Sequence, residues 1–148
     1  MNPYSPPSAP LERSPSDDCP LLHKISGIGI ATFLGGPFAS GYLVYRNYLL
    51  LGLPQKARMA LMWFCIGGVV MLYVAWHTPP DLISTLLSYG LPQFILVMFT
   101  ATYLQGSAIS AHRENNNGFR SNWFALLIGV ISNVSIKLGI FELSILFV

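Results

Sequence analysis

Residues 25–45 read ISGIGIATFLGGPFASGYLVY, an uncharged stretch, and how it is read decides the fold. At ~1.5 Å of rise per residue such a length is enough to cross ~30 Å of hydrocarbon as a helix. Small residues recur in it every four positions, at Gly27, Ala31, Gly35 and Ala39, with Gly36 and Ser40 beside them. On a helix that spacing makes one flat face against which another backbone can pack closely. Pro37 removes one helical hydrogen bond, so a kink is expected near Phe33. The stretch is therefore expected to be a kinked, small-faced transmembrane helix.

Three further stretches have the same character: residues 57–76, 91–111 and 123–143, the last within an apolar run that reaches 148. Hydrophobic residues make up 53% of the chain and charged residues only 9%. Soluble domains carry roughly 25% charge, so a water-facing surface cannot be built from this inventory. The expected fold class is an all-α integral membrane bundle of four transmembrane helices over residues 25–148. A Pro/Ser-rich tail over residues 1–24 is expected to be disordered, because its composition cannot form a core. A formal charge of +2 is too small to suggest nucleic acid. The two cysteines, Cys19 in the tail and Cys65 inside the second stretch, suggest no disulfide framework.

The connections carry turn chemistry. Gly52-Leu53-Pro54 follows the first stretch, His77-Thr78-Pro79-Pro80-Asp81 the second, and Asn115-Asn116-Asn117-Gly118 the third. Residues 82–89 put Leu82, Ile83, Leu86 and Leu87 on one face and Ser84, Thr85 and Ser88 on the other. This pattern predicts a short interfacial helix, with the third span starting anew at Pro92 in its first turn; the other option is one long helix kinked at Pro92. Ser121 or Asn122 is expected to cap the fourth helix. With four spans, Arg46, Lys56, Arg58, Arg113 and Arg120 share one side, against Arg13 and Lys24 on the other. The positive-inside rule then predicts cytoplasmic loops at 46–58 and 113–120, with both termini outward.

Polar chemistry is sparse. On the fourth helix Ala125, Gly129, Asn133 and Lys137 form a stripe that grades from small to charged. Charges inside an apolar run are costly and mark candidate sites, which singles out Lys137 and, nearer the boundary, Glu142. Gln105, His112, Asn133 and Lys137 form the candidate polar site, with Gln93, Gln105 and Asn133 as interhelical hydrogen-bonding groups. Cys65 is read as a packing residue and His112 as a helix-end residue. No phosphate loop, metal-ligand spacing or serine elbow occurs, so no cofactor, no metal and no enzymatic activity are expected.

Several short motifs carry a resemblance: Asn2-Pro3-Tyr4-Ser5-Pro6-Pro7, residues 31–37, Gly41-Tyr42-Leu43, Tyr45-Arg46-Asn47-Tyr48 and Leu51-Gly52. Gln105, Ile109, His112 and Ser121-Asn122-Trp123 extend it. In these the chain resembles a group of small bacterial four-helix membrane proteins, which implies a multi-pass place in the bacterial inner membrane. The expected function is non-enzymatic, acting through helix packing in an assembly, envelope or accessory role. The expected partners are the lipid bilayer and either a second copy, through the face Gly27, Ala31, Gly35 and Ala39, or another membrane protein. The alternative is a small transporter or channel subunit with a polar path through Gln105, Asn133 and Lys137.

Overall fold

The computed structural model describes residues 20–78 and 81–146. Most of the expected tail, residues 1–19, lies outside the described residues. The helices are α1 (Ile25–Leu50), α2 (Pro54–His77), α3 (Leu82–Thr85), a π-helical turn (Leu86–Gly90), α4 (Leu91–Glu114) and α5 (Asn122–Leu146). The fold is all-α, and four stretches are long and apolar enough to span a membrane: Ile25–Leu50, Pro54–His77, Ile83–Glu114 and Asn122–Glu142.

The first of these stretches does not run straight. Gly36 has φ 67° and ψ −161°, a conformation essentially reserved for glycine, and Pro37 follows it. The chain reverses there. The His23 N–H donates to Asn47 Oδ1 at 2.7 Å, and Asn47 Nδ2 donates to the His23 carbonyl at 3.0 Å. In a straight helix those residues would stand about 36 Å apart. α1 is thus a hairpin of two helical arms, residues 25–35 and 37–50, about 16 Å and 21 Å long. Neither arm alone covers ~30 Å of hydrocarbon. The expected kinked span is corrected to a hairpin whose two ends lie together. Gly-Pro is a turn signal, and the turn prevails over the helical continuity that hydropathy suggests.

The hairpin is the core. In its most apolar window 67% of residues are buried, against no more than 17% in the other three stretches. α5, α2 and α4 each pack on it and, apart from α2 meeting the π-helical turn, have no comparable contact with one another. The register follows from close approaches. A Cβ at Gly27 would meet Asn122 and Ala125, and one at Gly35 would meet Gly129, so the first arm runs alongside α5. The second arm lies on α2, with Gly41 against Phe64 and the Phe38 ring over Gly68. The outward faces expose large apolar side chains such as Val69, Phe99, Trp123 and Leu138, as a hydrocarbon surround requires.

The separate helix expected over residues 82–89 is likewise corrected. Residues 82–114 are continuously helical, with the π-helical turn just before Pro92. Pro92 cannot donate to the Ser88 carbonyl, and its ring crowds that oxygen. Widening the turn relieves this, and the Leu91 N–H bonds to Leu86 O, five residues back. The Ser121 cap is present, its Oγ accepting from the Trp123 N–H at 3.3 Å.

The reversal also changes which groups share an end. The hairpin base, the start of α2, the end of α4 and the start of α5 lie together; the Arg120 N–H, for example, donates to Leu22 O at 2.9 Å. Lys24, Arg46, Lys56, Arg58, Arg113 and Arg120 all sit at this basic end. Pro20 is there too, whereas α5 passes the hairpin tip at Ser132 and Asn133 and ends on the far side. The expectation of two termini on one side assumed that the first stretch runs straight from end to end. Residues 21–24, expected in the disordered tail, are held: Leu22 and His23 are buried, and Leu22 bridges to Phe119.

Candidate functional site

Two places bring polar groups into the apolar interior. The first is a clamp at the hairpin base. Asn47 holds the His23 backbone and also donates through Nδ2 to Gln105 Oε1 at 2.9 Å. Gln105 Nε2 donates in turn to Val44 O at 2.8 Å, and Tyr48 donates to Leu104 O at 3.0 Å. α4 is thereby pinned to the returning arm. His23, Asn47 and Gln105 are all buried, so each bond replaces one that water would otherwise make. His112, also buried, lies 2.9 Å through Nε2 from Gly118 O. A carbonyl only accepts, so this nitrogen carries the proton, and the residue ties the α4–α5 loop in place rather than capping the helix.

His23 is the one group in the clamp left unsatisfied. Its ring stacks on Phe124 with centroids 5.5 Å apart, and its buried Nε2 has no partner among the described residues. Burial first, then the positive charges of Arg120 and Arg46, push its pKa down from 6.5 to about 4. The folded state therefore holds a neutral imidazole, while the unfolded chain takes up a proton below pH 6.5. The contribution is fully present above pH 6.5 and is lost as the pH falls toward 4. The gap corresponds to roughly 3 kcal/mol. Thermal stability in nanodiscs is expected to fall as the pH is lowered from about 6.5 to about 4. His23→Phe should flatten that dependence; an unchanged pH profile in the variant would refute the assignment.

The second place is the hairpin tip. Asn133 Nδ2 donates to Leu34 O at 2.8 Å and Ser132 Oγ to Gly35 O at 3.3 Å, satisfying carbonyls that the break in the helix frees. Beyond the tip the three long helices continue without the hairpin between them. They enclose a space of ≈ 580 Å³ walled by the tip, Met71, Gln93, Asn133 and Lys137. A second space of ≈ 680 Å³ opens sideways between α2 and α4, with Pro37 and Tyr48 at its back.

The expected site residues are thus divided. Asn133 and Lys137 line the space below the tip, while Gln105 lies in the base clamp and His112 at the loop. Lys137 is exposed and not beside Gln105. Gly27, Ala31, Gly35, Ala125 and Gly129 do form a helix-packing face, but they face each other across α1 and α5 within one chain. Ala39, on the returning arm, packs back toward Gly35. The face offered for a second copy is therefore consumed internally. Asn47 and His23 were missed. Asn47 lies between Arg46 and Tyr48 in a segment read as a loop, and only its partners reveal its role. Among the described residues no group of three His, Cys, Asp or Glu could hold a metal ion. Comparison of the chain with family models, with curated proteins and with solved structures finds no match.

Proposed function

We propose that this is a non-enzymatic integral membrane protein with an accessory role, which works by accommodating other membrane components in the spaces beside and beneath its hairpin. The observation that supports this reading is the packing plan: three long helices lean on a buried hairpin and stay apart from each other, leaving two mainly apolar spaces of ≈ 680 and ≈ 580 Å³. Such volumes suit a ligand or a partner segment. The interior amides Asn47, Gln105 and Asn133 are tied to carbonyls and to each other, which suits a structural use of these groups.

In the bilayer we assign the basic end to the cytoplasm, in keeping with the clustering of Lys24, Arg46, Lys56, Arg58, Arg113 and Arg120. The hairpin then enters and leaves from the cytoplasmic side, α2, α4 and α5 cross, and the end of α5 is exterior. The bacterial inner membrane remains the membrane the resemblance suggests. Single-cysteine labelling in a Cys19→Ser, Cys65→Ala background is expected to place Asn117 and Leu53 on the cytoplasmic side and a cysteine after Val148 outside. A cytoplasmic C-terminal label would reverse the model.

A transport reading rests on one observation, that Asn133 and Lys137 both line the space below the tip. Gln105, the third member of that path, is engaged at the other end of the hairpin. Proteoliposomes loaded with a pH dye and a potassium dye separate the readings. Native protein and Lys137→Met should both match empty vesicles. A flux in the native protein that Lys137→Met abolishes would replace the accessory role with transport.

A further inference from the structure

We infer that the space between α2 and α4 holds one acyl chain of an anionic phospholipid of the cytoplasmic leaflet, with its phosphate on Lys56. The inference rests on the accommodating role proposed above and names the occupant of its larger space.

Four features support it. First, the wall on α2 is a single stripe, Lys56, Ala60, Trp63, Gly67 and Met71, repeating every three or four residues. From Lys56 to Met71 that stripe is about 22 Å long. One leaflet of a bilayer, half of ~40–45 Å with its headgroups, has the same depth. Second, the groove is open along its side, because α2 and α4 have no substantial contact, so a lipid can enter from the membrane plane without crossing a barrier. Third, the lining below the rim is mainly apolar, with Thr100 and Gln93 among its few polar side chains, whereas among the described residues its basic end carries Lys56 as the one cationic side chain. No acidic side chain lines the groove to neutralise that charge. Lys56 also stands in the first turn of α2, where the helix dipole favours an anion as well. Fourth, Gly67 leaves its part of the wall bare: a Cβ added there meets nothing within 4 Å. A partner helix would need a long run of small residues to pack backbone to backbone. Here the wall carries Trp63, Met59 and Tyr103 around a trough, which fits a flexible chain better.

The test uses full-length protein in nanodiscs with equal phosphatidylglycerol and phosphatidylcholine, read by native mass spectrometry of retained lipid. A single surface lysine supports a preference of roughly fivefold for the anionic lipid. Native protein is expected to keep one phosphatidylglycerol with that preference. Lys56→Gln should keep a lipid but lose the preference. Gly67→Phe, which fills the trough from an open position, should lose the lipid while its melting temperature stays near native. Retained lipid that is indifferent to both substitutions would overturn the inference. So would a photo-crosslinker at Met59 that links to a protein segment in native membranes and is blocked by Gly67→Phe; that result would leave the accessory reading standing with a helix as occupant. An empty groove by both measurements would sink the inference and the accessory reading together.

Discussion

Asn47→Leu is expected to unfold most of the protein at temperatures where the native chain is intact. The leucine fits the volume but withdraws one acceptor and two donations. It leaves the His23 N–H, the His23 carbonyl and Gln105 Oε1 without their partners in a buried site. Each unmet buried group costs about 1–3 kcal/mol, so the three together cost about 3–9 kcal/mol, a large share of a typical 5–15 kcal/mol. The melting temperature in nanodiscs should fall by on the order of 10 °C or more. Gln105→Met, which strands only Asn47 Nδ2 and the Val44 carbonyl, should fall by less. A native melting temperature for Asn47→Leu would mean that the hairpin base is not held by this clamp.

The second large effect is expected at Gly35. An added Cβ would stand 2.5 Å from the Gly129 carbonyl oxygen and 2.9 Å from Gly129 Cα, both backbone atoms, and 2.8 Å from Ala39 Cβ. Nothing flexible can give way, so Gly35→Ala should cost about 3 kcal/mol, at the top of the usual range for overpacking. Gly27→Ala, at 3.1 Å from the Asn122 side chain, should be milder. Gly36→Ala separates sterics from conformation. Its nearest neighbour would be Gln93 at 3.8 Å, yet φ 67° with ψ −161° still costs an alanine about 1–3 kcal/mol. Chemical unfolding of the monomer in detergent, ranked Gly35 above Gly36 above Gly27, checks the series. If Gly35→Ala instead changed oligomer size with no loss of monomer stability, the face would belong to an interface between copies.

Much of this architecture is legible in the residues. The long apolar stretches bracket the helices, the turn residues bracket the loops, and Ser121 stands where a cap belongs. The small residues of α1 and α5 also mark true packing faces. What hydropathy cannot express is direction. A run of apolar residues reads the same whether the chain continues or doubles back, and Gly36-Pro37 reads as a kink until a distant hydrogen bond shows a reversal. That reversal brings Lys24 to the end that holds Arg46 and Arg120, and it puts Arg46, Asn47 and Tyr48 in a helix rather than a loop. The expected path residues lie apart for a related reason. Gln105 and Asn133 are both interior amides, but which carbonyl each one meets depends on the hairpin between them.

The tip has a consequence for the order in which the chain matures. The side chains that satisfy the Gly35 and Leu34 carbonyls lie 97 and 99 residues further along. A ribosome adding ~5–20 residues per second makes them only ~5–20 s later. Through that interval the hairpin has its turn but not its closure, and carbonyls facing hydrocarbon must be covered by something else. The hairpin, made before α5, is thus expected to reach its final state only once α5 is in place. A chain truncated before Ser132 would keep three of its four apolar segments, with the clamp at the hairpin base, and still lack the bonds that close the tip.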